Sequence, residues 1–453
     1  MTKLFGTDGM RGEAGKFPLD AATVETIGAS LAAHLKDGIG RLPVIVIGRD
    51  TRESGEWLER ALVAGASRVG AQLKSAGVIT TPGVAFLARV LPADAGIVIS
   101  ASHNAFRDNG IKIFSPSGRK LDEAMERQIE NDVLSGANGA SPASESAPDV
   151  GAGDEGVALR SRYLDHLENE IGSGLALDKL RLVVDCANGA ASAFAPELFE
   201  RLGASVKSIN DNPDGRNINF NCGSLHMERL QDEVVKWKAD IGVAVDGDAD
   251  RALFVDSEGR LVNGDGYLWV LAKHLQSKGE LHDDTVVATV MSNVGLEIAL
   301  RSRGIRLVRT DVGDKYVLDE MLRLGASLGG EQSGHIIFPQ VSLAGDGLVT
   351  TLRLLRAMKE EDKPLQELFA GFQSLPQILV NVEVKEKRPF SEVPPIQNAT
   401  QNIVNKLGSR GRLLLRYSGT EPLARVMLEG ENQAEIEKVA NELANVIRET
   451  LGG

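Results

Sequence analysis

The runs PVIVIG at 43–48, SGEWLERALVAGASRVG at 54–70 and GIVIS at 96–100 decide the fold class. The first and third are apolar stretches of strand length, and the second spaces its apolar residues at helical intervals, so the segment alternates strand and helix. That is the βαβ pattern of a mainly parallel sheet, and it runs from Val24 to about Leu134. The pattern restarts with LRLVVDCANG at 180–189, a helix near 192–202, a strand near 204–209, a helix near 226–238 and the strand IGVAV at 241–245. It restarts again with TVVATV at 285–290, a helix near 294–303, IRLVRT at 305–310 and a helix near 314–324. Beyond Ser374–Pro376 the order becomes strand, helix, strand, strand, helix, closing on ENQAEIEKVANELANVIRETL at 431–451. The expectation is three successive mixed α/β domains and a smaller C-terminal α+β domain, with boundaries at 1–156, 157–256, 257–373 and 374–453. The run SGANGASPASESAPDVGAGDEG at 135–156 holds almost nothing large and apolar to offset its ordering entropy, and it reads as a linker.

Composition narrows the class. The chain has 453 residues, too many for one core, and its 42% hydrophobic content is that of a globular protein. Lys and Arg number 50 against 63 Asp and Glu, a formal net charge of -13, the wrong sign for nucleic acid or an anionic membrane surface. Neither is expected as a partner, and an anionic substrate must be held by local clusters of cations. The two cysteines, Cys186 and Cys222, lack metal-ligand spacing, so they indicate neither a zinc site nor a disulfide framework. MTKLFGTDGM has no apolar signal core and no stretch of about 18 apolar residues follows it, so a reducing cytoplasm is the expected location.

The strand IGVAV empties into DGDADR at 246–251. Asp246, Asp248 and Asp250 deliver three carboxylates at a strand end, a set of oxygen ligands suited to a hard cation such as Mg2+. A calcium loop would need Gly and Glu at its sixth and twelfth positions, where this chain has Arg251 and Ser257. An acidic turn can also be mere solvated surface, but the adjacent Arg251 suits a site that handles metal and anion together.

Each remaining block carries one polar, glycine-rich loop. GIVISASHNAFRDNGIKIF at 96–114 sets Ser102, a candidate nucleophile, beside His103 directly after a strand. Neighbours on an extended chain point apart, which makes His103 a poor base for Ser102. In GGEQSGHIIF at 329–338, Glu331, Ser333 and His335 alternate, and on an extended segment they would present a carboxylate, a hydroxyl and an imidazole to a polyol. A tight turn with a satisfied histidine is the competing reading. LLLRYSGTEPLARVMLEG at 413–430 gathers Arg416, Ser418, Gly419, Thr420 and Arg425 into a phosphate cradle of guanidinium, hydroxyl and backbone donors. FGTDGMRG at 5–12 offers Arg11 in a turn, and GRDTRESG at 48–55 reads as a structural ion-pair loop before a helix capped by Ser54.

The motifs FGTDGMRG, SASHNAFRDNGIKIF, DGDADR, GGEQSGHIIF and RYSGTEP, in this order across nearly the whole chain, resemble the α-D-phosphohexomutase superfamily. The glutamine in GEQSGH resembles the bacterial branch that acts on glucosamine phosphates. The resemblance implies four domains around a central cleft, Ser102 as a phosphoserine, and one Mg2+ held by Asp246, Asp248, Asp250 and the Ser102 phosphoryl oxygen. It implies Arg11 and Lys112 near the transferring phosphoryl group, with His335 a third candidate for the base, and His103, Arg251, Glu331 and Ser333 at the sugar phosphate. Arg416, Ser418, Gly419, Thr420 and Arg425 would hold the phosphate that does not react, on a hinged last domain. The implied reaction converts glucosamine 6-phosphate into glucosamine 1-phosphate through a bisphosphorylated sugar, feeding UDP-N-acetylglucosamine synthesis, by a monomer or homodimer. The rivals are a mannose- or glucose-phosphate mutase and a metal-dependent sugar phosphatase. Ala105 departs from the proline that the family commonly places after Ser-His-Asn, which removes a fixed φ but no reacting group.

Overall fold

The computed structural model describes residues 3–6, 8–136, 153–418 and 421–452. Four sheets follow one another along the chain. The first contains β1 (Met10–Glu13), β2 (Val44–Arg49), β3 (Gln72–Val78), β4 (Ala95–Ile99) and β5 (Asp108–Phe114) in the order β1-β5-β4-β2-β3. Its β2, β3 and β4 are parallel, as the βαβ pattern requires, but β5 runs antiparallel to both β4 and β1. The mainly parallel sheet expected here is therefore mixed. The reversal arises because the loop from Ala101 to Arg107 returns the chain directly, with no crossover helix.

The second sheet holds β6 (Arg181–Asp185), β7 (Ser205–Ile209), β8 (Ile241–Val245), β9 (Ala252–Asp256) and β10 (Leu261–Val262), and the third holds β11 (Thr285–Thr289), β12 (Arg306–Thr310), β13 (Leu328–Gly330) and β14 (Ile336–Ile337). Each is parallel at its centre and antiparallel at one edge. The last sheet, β15 (Gln377–Glu383), β16 (Gly411–Tyr417) and β17 (Leu423–Gly430), is wholly antiparallel, with helices Pro394–Leu407 and Gln433–Leu451 packed on it. Three mixed α/β domains and a smaller α+β domain are thus present. Of the stretch read as a linker, residues 137–152 lie outside the described residues.

The central strands read as continuous apolar runs because both faces are covered, and β4, β8, β9 and β11 are buried at every position. One apolar core extends from Val46 and Val98 through Tyr163, Val184 and Phe254 to Leu268, Leu352 and Phe372, and so joins the first three domains. The last domain has its own core of Val382, Val426, Ile436, Leu443 and Ile447. Strand ends of the first three sheets converge on a cleft of about 550 Å³ lined by Arg11, His103, Asp250, Arg251, Glu331 and His335 among others.

Candidate active site

The acidic turn follows β8 directly. Ala249 takes a left-handed backbone, φ 57°, and its N–H donates to the Asp246 carbonyl, which folds the turn back on itself. The carboxylates of Asp246, Asp248 and Asp250 are all buried, each with an oxygen within 4.8 Å of the others'. Burial pushes the Asp246 carboxyl well above the usual range, and the two neighbouring carboxylates push it further. Asp248 Oδ1 and Asp250 Oδ1 are buried and accept no hydrogen bond. Oxygen-only donors, crowded like charges and orphaned lone pairs are the conditions a divalent cation relieves, so these residues fit one.

Ser102 lies against this turn. Its hydroxyl donates to Asp246 Oδ2 at 2.5 Å, and the Ser102 carbonyl packs so tightly on the turn that a Cβ at Gly247 would meet it at 2.6 Å. Ser102 is buried with φ 53°, a strained conformation for a non-glycine residue. That backbone corrects the expectation that His103 points away. His103 Nδ1 sits 3.2 Å from the Ser102 hydroxyl because the chain is not extended there. Burial, then Arg251 and Arg11, lower the His103 imidazole to about 4, so it is neutral.

The serine loop is held by GRDTRESG, to which the sequence assigned only a structural ion pair. Arg52 is fully buried with Asp50 at 2.8 Å, and it donates to the carbonyls of Ser102 (3.0 Å), Asn104 (2.9 Å), Asp108 (3.0 Å) and Ala105. Asp50 also accepts from the Ser100 hydroxyl at 2.6 Å, and Ser100 Oγ accepts from the Ser102 N–H at 2.9 Å. Asn219, from the second domain, donates to the Ser102 carbonyl at 2.8 Å. Ser54 occupies the N-cap position of helix Gly55–Arg68 with helical backbone, φ -73° and ψ -15°, and makes no capping hydrogen bond; its hydroxyl accepts instead from Asn109 Nδ2 at 2.8 Å.

Cations surround the carboxylates. Lys112 Nζ, on β5, reaches Asp248 at 2.8 Å, Asp250 at 3.2 Å and Asp8 at 3.5 Å. Burial favours the neutral amine, but the three carboxylates outweigh it and raise Lys112 well above its ordinary value. It is an ammonium, the wrong form for a base. Thr81 donates to the remaining face of Asp248 Oδ2 at 2.5 Å. Arg11 pairs with Asp8 and donates to Asn104 Oδ1 at 3.3 Å. Lys120 joins Asp8 at 2.8 Å to Asp314 at 2.7 Å and so connects the first and third domains across the cleft. Asp8, Thr81, Lys120, Asp314 and Asn219 escaped the sequence reading, and the Asp50–Arg52 ion pair it expected proves also to hold the serine loop.

The extended alternation expected at 331–335 is absent. The Glu331 N–H donates to the His335 carbonyl at 2.9 Å and the Gly334 N–H to the Glu331 carbonyl at 3.0 Å, closing a tight turn between β13 and β14. Glu331 and His335 still face the cleft, while Ser333 sits half-buried in the turn outside that lining. His335 lies 3.7 Å from both Asp250 and Asp314, and although burial lowers it, Asp250 leads the carboxylates that raise it to about 9.

In the last domain Arg416 and Arg425 sit directly opposite each other on β16 and β17. Ser418 and Arg425 both contact the Glu421 carboxylate, at 3.3 and 2.9 Å, so a negative group rests among the donors. Arg416, Ser418 and Arg425 do not line the cleft, and Gly419 and Thr420 lie outside the described residues.

Comparisons with known proteins agree with this architecture. Models of the phosphoglucomutase/phosphomannomutase family match in chain order: α/β/α domain I over residues 2–139, domain II over 161–259, domain III over 263–375 and the C-terminal domain over 379–446. The chain is 48% identical over 449 residues, 99% of each chain, to a phosphoglucosamine mutase of Solibacter usitatus. In structure it resembles a phosphoglucomutase/phosphomannomutase family protein of Burkholderia thailandensis, with a TM-score of 0.79 at 24% identity over 99% and 97% of the two chains. It also resembles N-acetylphosphoglucosamine mutase of Aspergillus fumigatus, solved with GlcNAc-6P and magnesium, with a TM-score of 0.64 at 19% identity over 99% and 96%. The chain belongs to the phosphoglucomutase/phosphomannomutase family.

Proposed function

We propose that this chain is a phosphoglucosamine mutase that interconverts glucosamine 6-phosphate and glucosamine 1-phosphate, with Ser102 carrying the phosphoryl group. The observation that carries the reading is the 2.5 Å contact of the Ser102 hydroxyl with Asp246 inside a buried, three-carboxylate turn. Identity of 48% to a phosphoglucosamine mutase over the full chain supports the amino sugar as substrate.

In the forward cycle the bond between the phosphoryl group and the Ser102 oxygen breaks as one forms to the 1-oxygen of glucosamine 6-phosphate, and the 1-hydroxyl proton ends on the departing Ser102 oxygen. The resulting bisphosphate turns over, and its 6-phosphoryl group returns to Ser102. Asp246, Asp248, Asp250 and the phosphoserine would hold Mg2+, which when bound neutralises charge on the phosphoryl oxygens. Lys112 and Arg11 add positive charge on the near side, where catalysis of this class is mostly positioning and charge neutralisation. Arg52 fixes the serine loop, and Glu331 and His335 meet the sugar. The donors of Arg416, Ser418 and Arg425 take the other phosphate once Glu421 is displaced, with Gly419 and Thr420 expected to join them. Gathering these donors into the cleft requires the last domain to move, which also excludes water from the phosphoserine and favours transfer over hydrolysis.

Intact mass of the purified protein before and after phosphatase treatment, with a coupled glucosamine 6-phosphate assay, tests this. Ser102→Ala should lose the phosphatase-sensitive 80 Da species (roughly the mass of one phosphoryl group) together with isomerisation. Turnover by that variant would rule out the phosphoserine, and stoichiometric release of inorganic phosphate by the native chain would indicate a phosphatase.

A further inference from the structure

Gln332 follows Glu331 in the turn, yet it does not line the cleft that Glu331 and His335 face. Its side chain turns the other way, and Nε2 donates to Asp265 Oδ2 at 3.2 Å. Asp265 is fully buried in the first turn of helix Gly264–Lys278. The same Oδ2 accepts the Asn293 backbone N–H at 2.8 Å. Asn293 caps helix Val294–Ser302, and its side chain grips the connection into the last domain from both sides. Its Nδ2 donates to the Leu375 carbonyl at 3.0 Å, and its Oδ1 accepts the Leu375 N–H at 2.9 Å. The adjoining Ser292 carbonyl accepts from Arg412 of β16 at 3.0 Å, so residues 292 and 293 are where the last domain hangs from the third.

The far end of this chain of contacts is equally tight. The Gly264 N–H donates to the Gln332 carbonyl at 3.0 Å, and a Cβ on Gly264 would lie 2.0 Å from the Glu331 carbonyl. The turn bearing Glu331 and His335 therefore rests directly on the helix start that carries Asp265. A shift of that turn reaches Leu375 through two buried side chains and one peptide N–H.

We propose that Gln332, Asp265 and Asn293 are positioning residues that couple the 331–335 turn to the hinge at Leu375, so that sugar seated at the turn biases the last domain toward closure. The functional part of the inference rests on the reading that the turn meets the sugar and the last domain its phosphate. The coupling itself is a property of the free protein. It holds a buried carboxylate whose removal frees two donors at once, one on each side.

Hydrogen exchange of the ligand-free full chain, followed at the Leu375 amide in a peptide spanning 373–377, tests it. Gln332→Ala should speed exchange there by about fivefold or more, the lower end of ordinary coupling between sites. Asp265→Asn should exchange like the native chain, because an amide oxygen at the Oδ2 position accepts both hydrogen bonds; Asp265→Ala should exceed Gln332→Ala. In steady-state kinetics, Gln332→Ala and Asn293→Asp should combine less than additively in kcat/KM. Native exchange at Leu375 in Gln332→Ala, or strictly additive kinetic effects, would overturn the relay. An inactive native enzyme with altered exchange in the variants would instead overturn the mutase reading and leave the relay standing.

Discussion

One apolar core runs through the first three domains, whereas the last is built around its own and makes polar contacts with the third that include Ser292, Asn293, Leu375 and Glu429. The chemistry divides along the same line. The groups proposed to hold a metal and a reacting phosphoryl are fixed among the first three domains by buried, multiply bonded charges. The groups proposed to accept either end of a turning bisphosphate sit on the separate body, where Ser418 and Arg425 contact the Glu421 carboxylate. Reaction geometry calls for rigidity and exchange of substrate orientation calls for a movable part. This chain assigns the two to different cores.

That contrast is open to direct attack. The largest effect is expected from Arg52→Ala on the rigid side. It leaves Asp50 buried without its cationic partner and takes one donor from each of four backbone carbonyls, so stability in chemical denaturation should fall by about 3–5 kcal/mol. A loss below about 1 kcal/mol would mean the loop is held by something else. Next comes Asp248→Asn, which keeps the shape of the turn but removes a ligand charge. Mg2+ affinity measured by titration should weaken by about 100-fold, with the fold intact by circular dichroism; unchanged affinity would remove the turn as the metal site. The smallest change belongs to the separate body. Arg425→Ala should raise the KM for glucosamine 6-phosphate roughly tenfold or more while moving stability by less than about 1 kcal/mol, since its partner Glu421 is largely exposed. A stability loss as large as that of Arg52→Ala would erase the distinction between the two regions.

What could be read from the sequence was local. The turn after β8 declared itself because its three carboxylates sit within five residues at a strand end, and the sheets because parallel strands buried on both faces read as apolar runs. Arg52 was underrated because its partners are the backbone carbonyls of residues 102–108, which carry no sequence signature. The reversal of His103 depended on a left-handed serine, a conformation that the residue type does not announce. The 331–335 segment misled because alternation of polar residues mimics a strand, while β13 and β14 are too short for the pattern to be tested against neighbours. Lys120 and Asp314 are unremarkable charges until tertiary folding sets them 2.7 Å apart.

The left-handed backbone at Ser102 also limits which alcohol this site accepts. Threonine offers the same hydroxyl chemistry, but a β-branched side chain at positive φ is a genuine outlier, and Ser102 is buried there. Under the proposed role of Ser102, the choice between the two common phosphorylatable alcohols is made by main-chain geometry ahead of reactivity, and Ser102→Thr should fail through backbone strain even though nothing is missing from its oxygen.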